Sequence, residues 1–251
     1  LWNKAQRQKN VKGMQKSYES LKKQEGIPTV PKERRIRPIH IWQSAAAILF
    51  LLLASSVYLS TVGTKAETDL LQQYIPIAKM RSLTLPDGTK VQLNSKSTLL
   101  YPHEFTGDSR SVFLLGEANF KVKPDKKRPF IVKSNDLQIT ALGTEFNVSA
   151  YPESQEIATT LISGSIRVDY NNLTTSVILH PNEQFAYNRN NKKYDLSNPD
   201  MDDVTAWQRG ELVLQKMTLT DIINVLERKY PYAFVYSIKN LKNARFSFRF
   251  K

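Results

Sequence analysis

Few of the 251 residues could do chemistry, and those few are scattered. There is no cysteine, which excludes thiol nucleophiles, thiolate metal sites and disulfide frameworks together. The three histidines, His40, His103 and His180, lie far apart, and without cysteine beside them a transition-metal centre lacks ligands. A serine hydrolase of the Gly-x-Ser-x-Gly type is not indicated, because Ser163-Gly164-Ser165 lacks the second glycine and sits between strands. No Walker or dinucleotide loop occurs. A glycan hydrolase needs two carboxylates across a cleft. Glu104, Glu117, Glu145 and Glu183 supply the number, but their spacing selects no pair. Glu117, in LLGEANF beside a turn, reads first as structural. These residues single out no catalytic constellation, and the chain is expected not to be an enzyme and to carry no metal or cofactor.

The dominant pattern is hydropathic. Ile41–Thr64, IWQSAAAILFLLLASSVYLSTVGT, carries no Asp, Glu, Lys or Arg. As a helix it reaches about 36 Å, enough to cross a hydrocarbon core of ~30 Å with some tilt. It begins too far into the chain, and is too long, for a signal peptide. Residues 1–40 hold eleven Lys or Arg against three Glu, a net +8 of the chain's +13. Lys32, Arg34, Arg35 and Arg37 crowd one end of the apolar run, whereas Glu67 and Asp69 soon follow Lys65 at the other. The positive-inside rule then places the arm in the cytoplasm and everything after Thr64 outside, with Trp42 and Tyr58 as interfacial anchors. That rule also accounts for the basic arm, so direct nucleic-acid binding is not expected.

Within the arm, residues 1–24 read as a polar helix with a thin apolar stripe, which Pro28, Pro31 and Pro38 keep from running into the span. A stem, 65–78, follows. From Lys79 the period becomes two, and glycines punctuate many short strands, among them Ser111–Leu115 and Asn119–Val122 on either side of Gly116. This predicts an all-β sandwich or roll over 79–190. A polar linker, 191–206, leads to a small α+β unit, 207–251. Its order is β-α-β-β: a strand Glu211–Leu214, a helix capped by Thr218 with Leu219, Ile222, Ile223 and Leu226 on one face, then strands Ala233–Tyr236 and Arg245–Phe250. Both ends of the chain read as cut from a longer protein.

Five stretches in order carry a family resemblance: LTLPDGTKVQLNSKSTLLYP (83–102), LLGEANFKV (114–122), RPFIV (128–132), ITALGTEFNVSAY (139–151) and LISGSIRV (161–168). Together they resemble the periplasmic domain of FecR-family anti-sigma factors. Residues 207–237 resemble the small domain that follows it, itself similar to the signalling module of secretins and TonB-dependent transporters. The resemblance implies a single-pass bacterial inner-membrane protein. It would relay a signal from an outer-membrane TonB-dependent transporter to an extracytoplasmic-function sigma factor. Its partners would be that sigma factor, the transporter's signalling domain and membrane lipid. The family's sigma-binding region is longer than the arm here, of which Leu1–Lys23 corresponds to the membrane-proximal tail, so no sigma-contacting residue is assigned. Some members cleave themselves at a Gly-Thr bond in the motif that reads LGTEFNV here, which implies Gly143–Thr144. The plain reading of the same pair is a turn glycine followed by a strand residue. A β-domain scaffold or adhesin, and behind it a membrane-anchored hydrolase, are the alternative functions.

Overall fold

The computed structural model describes residues 2–24, 38–63, 69–235 and 244–250. Two units divide at Lys65. In the first, α1 (Trp2–Gln24) is polar and ends on Lys22 and Lys23, which suit the negative end of the helix dipole. Its stripe of Val11, Met14, Tyr18 and Leu21 is exposed. α2 (Pro38–Gly63) starts on a proline, whose missing N–H costs nothing in a first turn. The side chains described in α2 are Trp42, Gln43 and those of 45–58. Among the described residues, no helix is long and apolar enough to cross a membrane.

The second unit is mainly β. β1 (Leu70–Tyr74), β2 (Arg81–Thr84), β3 (Lys90–Leu93), β4 (Thr98–Pro102), β5 (Arg110–Lys121), β6 (Phe130–Lys133) and β7 (Gln138–Ala141) are its first strands. β8 (Glu145–Ala150), β9 (Glu156–Ser163), β10 (Ile166–Tyr170), β11 (Thr175–Leu179), β12 (Gln184–Asn188) and β13 (Tyr194–Ser197) complete one 13-stranded curled sheet.

β5 causes the curl. Its first half pairs with β4 and, in parallel, with β6; its second half pairs with β3 and β8. The change falls at Gly116, where φ is +102° and an added Cβ would lie 2.7 Å from Ser97 Cα. Only glycine fits there. The expected break at Gly116 is therefore a bend within one continuous strand. Val112, Leu114, Ala118 and Phe120 face inward from both halves, and Phe120 lies against Phe130 and Phe146 in a single apolar core.

Three further expectations need correction. The stem contains β1, whose exposed Leu70 and Leu71 give no alternation to read. The linker contains β13 and α3 (Met201–Thr205), the latter capped by the Asp200 side chain accepting from Asp202 N–H. A 3-10 turn, Ala206–Arg209, and left-handed Gly210 follow. In the C-terminal module, β14 (Leu212–Thr218) pairs antiparallel with β15 (Arg245–Phe250), and α4 (Leu219–Lys229) packs Ile222 against Leu212 and Leu214. Thr218 caps α4 as the sequence predicts, its side chain accepting from Asp221 N–H. The strand expected at Ala233–Tyr236 does not form over 233–235, where Val235 is fully exposed; Tyr236 lies outside the described residues. The run has strand-forming side chains but no neighbouring strand among the described residues to pair with.

Candidate functional site

The turn Ala206–Arg209, which leads into the C-terminal module, meets the outer face of the half-sheet that runs from β2 to β13. One transverse row of this face is polar throughout. Ser82 and Ser197 stand at its ends, with Gln92, Asn119, Asn147, Thr160 and Gln184 between them in register. Outward residues normally meet water, yet Asn119, Asn147 and Thr160 are buried. Trp207, from the turn after α3, donates its indole N–H to Asn147 Oδ1 at 3.3 Å. Gln208 shares a cleft of about 450 Å³ with Ser82, Gln92, Asn119 and Glu145.

Of the predicted carboxylates, Glu117 and Glu145 lie in this neighbourhood, Glu183 stands in the turn before β12, and Glu104 is exposed after β4. Glu117 accepts from Asn94 at 2.8 Å and from Asn147 at 3.1 Å. Burial pushes its carboxyl up; the two amides and the charge of Arg228 oppose that shift. Glu145 accepts from Asn119 at 3.3 Å and meets Lys121 Nζ at 3.4 Å. Glu183 accepts from the backbone N–H of His180. Glu117 and Glu145 are acceptors for the amides of the sheet face, and Glu183 closes the turn between β11 and β12. Among the described residues, no group of His, Asp and Glu is placed to hold a metal ion.

Sequence reasoning missed Arg228. It leaves the last turn of α4, lays its guanidinium 3.8 Å from the Tyr151 ring centroid, and pairs with Glu153 at 2.7 Å. Its backbone carbonyl accepts from Ala78 N–H. Tyr151 is itself buried and donates to Ser95 O, and that burial, with Glu117 nearby, pushes its phenol up. No local pattern links an arginine in a helix to an aromatic residue 77 positions earlier. Arg249 on β15 pairs with Asp202, Asp203 and Glu211, and Arg209 adds to the same cluster. These hydrogen bonds hold the carboxyls of Asp202 and Glu211 below the usual range and tie α3 to the module.

Gly143 and Thr144 stand at the entrance to β8. Gly143 has φ +151°, and a Cβ there would lie 2.9 Å from Pro124 Cα. Thr144 is buried, and its Oγ1 has no hydrogen-bond partner. A buried hydroxyl without a partner is costly; Thr140 and Thr159 carry others.

The module also presents an open surface. β15 pairs with β14 alone among the described residues, and Phe248 and Phe250 are exposed on it. Their rings continue a row that starts at Phe246.

Comparison with known proteins matches the FecR protein family over residues 75–167 and the FecR C-terminal family over residues 211–251. Crystal structures of a candidate anti-sigma factor from Parabacteroides distasonis, at 2.50 and 1.65 Å resolution, superpose with a TM-score of 0.68. They are 34% and 33% identical to the chain, covering 72% of it and 84% of their own. No curated protein matches.

Proposed function

Because the chain belongs to the FecR family of anti-sigma factors, we propose that it is a single-pass inner-membrane regulator that relays a transporter's signal to a sigma factor. The observation that carries this reading is the uncharged run Ile41–Thr64, which lies between a basic arm and the domains that match the family. α2, Pro38–Gly63, takes in all of that run but Thr64; its described side chains alone do not make a spanning segment, and the reading rests on the whole uncharged stretch of the sequence. Ile48, Leu49, Phe50, Leu51, Leu52 and Leu53 are exposed around that helix, as lipid contact requires. The arm is cytoplasmic, on the side where the family's longer region meets an extracytoplasmic-function sigma factor; the β domain and module are periplasmic. The module receives the signalling domain of a TonB-dependent transporter as an added strand at β15, a recognition mode suited to an open sheet edge.

Topology is testable without background because the chain has no cysteine. Single cysteines at Ser17 and Ser176, both exposed, are expected to differ in intact spheroplasts. An impermeant thiol reagent labels S176C and spares S17C. Labelling of S17C alone would invert the protein and remove the relay.

The orphaned Thr144 hydroxyl favours a second reading of the same β domain, in which it cleaves its own Gly143–Thr144 bond. Glycine at 143 removes side-chain bulk from the attacked carbonyl and holds the left-handed backbone.

A further inference from the structure

The attachment of the C-terminal module to the β domain is unlike either of the cores it joins. The two apolar clusters share no residue: one fills the curled sheet, the other lies between β14 and α4. The two bodies are joined by Trp207 to Asn147, Arg228 to Tyr151 and Glu153, and Ala78 N–H to Arg228 O. The seam is also incompletely made. Asn119 Oδ1 and Gln208 Nε2 are both buried without partners beside the 450 Å³ cleft. Opening such a seam hydrates amides, hydroxyls and carboxylates and leaves both apolar clusters intact, so it costs less than unfolding either body. The Arg249 cluster, meanwhile, fastens residues 201–209 to β15, so this segment travels with the module. Residues 201–209 fall between the two family-matched stretches.

We propose that residues 201–209 and the module behind them form a releasable strap over the amide row, pinned by Arg228. Seizure of the module by its partner withdraws Arg228 from Tyr151 and Glu153, and the β domain registers the signal as loss of the strap. Arg228 is the pin because its side chain is only 12% exposed while bonded to both groups, so each contact is partly desolvated. Such a cation–π contact with an ion pair corresponds to about tenfold or more in the ratio of closed to open forms. The proposal rests on the docking reading for its trigger, but the strap can be measured without any partner.

The test uses the full 251-residue chain and thiol-labelling rates. N147C places a thiol under Trp207; V148C, the next residue and completely buried, places one in the core. Arg228→Ala is expected to speed labelling of N147C about tenfold or more and to leave V148C unchanged. Arg228→Lys, which keeps the charge but loses the flat guanidinium, falls between. Glu153→Arg in the R228E background slows N147C labelling again. Unchanged labelling of N147C in R228A would overturn the strap, as would equal acceleration of both thiols, which marks Arg228 as general stabilisation. Failure of the transporter domain to bind would remove the trigger and leave the strap standing.

Discussion

Asp87→Ala is expected to destabilise the β domain by about 3–5 kcal/mol, the cost of leaving a buried partner charge unpaired. Asp87 sits in the Pro-Asp-Gly turn between β2 and β3, and its side chain is 4% exposed. One oxygen accepts from Thr89 N–H at 2.9 Å; the other accepts from Thr89 Oγ1 and Arg110 Nη1, each at 2.7 Å. Arg110 is 1% exposed and also donates to the carbonyls of Arg128 and Lys123. Thr89 Oγ1 in turn accepts from Lys123 N–H. Removing Asp87 therefore strands a guanidinium in the core and frees the turn together. Against a total stability of about 5–15 kcal/mol for a domain, this is a large share. Urea midpoints of the wild type and D87A give the difference. The double variant D87A/R110M recovers most of it, because no charge is then left buried. A D87A midpoint equal to wild type would show that the pair contributes nothing.

Thr144→Ala is expected to abolish self-cleavage while moving stability by only about 1 kcal/mol, since its hydroxyl has no hydrogen bond to lose. In the proposed reaction Thr144 Oγ attacks the Gly143 carbonyl carbon and its proton passes to the Thr144 nitrogen. The C–N bond breaks and an ester forms. Water then hydrolyses the ester, giving a Gly143 carboxylate and restoring the hydroxyl. Thr144→Ser keeps the nucleophile and continues to cleave. The two fragments stay together, because β5 and β8 pair across the break from Gly116–Ala150 to Lys121–Glu145. Intact mass spectrometry of protein held at neutral pH follows the reaction. A single uncut wild-type mass over days would reduce Gly143 to a turn glycine.

What was legible in the sequence is local or periodic. The cap at Thr218 and the alternation of most strands depend on residues within a few positions and appear where the pattern puts them; of the expected face of α4, Ile222 and Leu226 join the module's core, with Val225 beside them. The Gly116 bend was not legible, since a glycine that ends a strand and one that lets a strand change sheets look alike until Ser97 packs against it. Nor was the strand at 233–235 refutable: Phe234 and Val235 favour β structure, and only the lack of a pairing partner among the described residues decides. The site suffered most. Asp87 reads as a turn residue until Arg110 arrives from 23 positions away, and Glu117 reads as a turn-side carboxylate until Asn94 and Asn147 flank it. Arg228 carries no signal at all, because Tyr151 and Glu153 reach it only through the docking of the module.

The proposed relay depends above all on the module's meeting the transporter. Titration of the full chain with the isolated N-terminal signalling domain of the transporter, beside a chain lacking 207–251, measures that meeting directly. Binding is expected for the full chain and lost with the deletion, since β15 and its exposed Phe248 and Phe250 are then gone. Equal binding by the two chains would contradict the account.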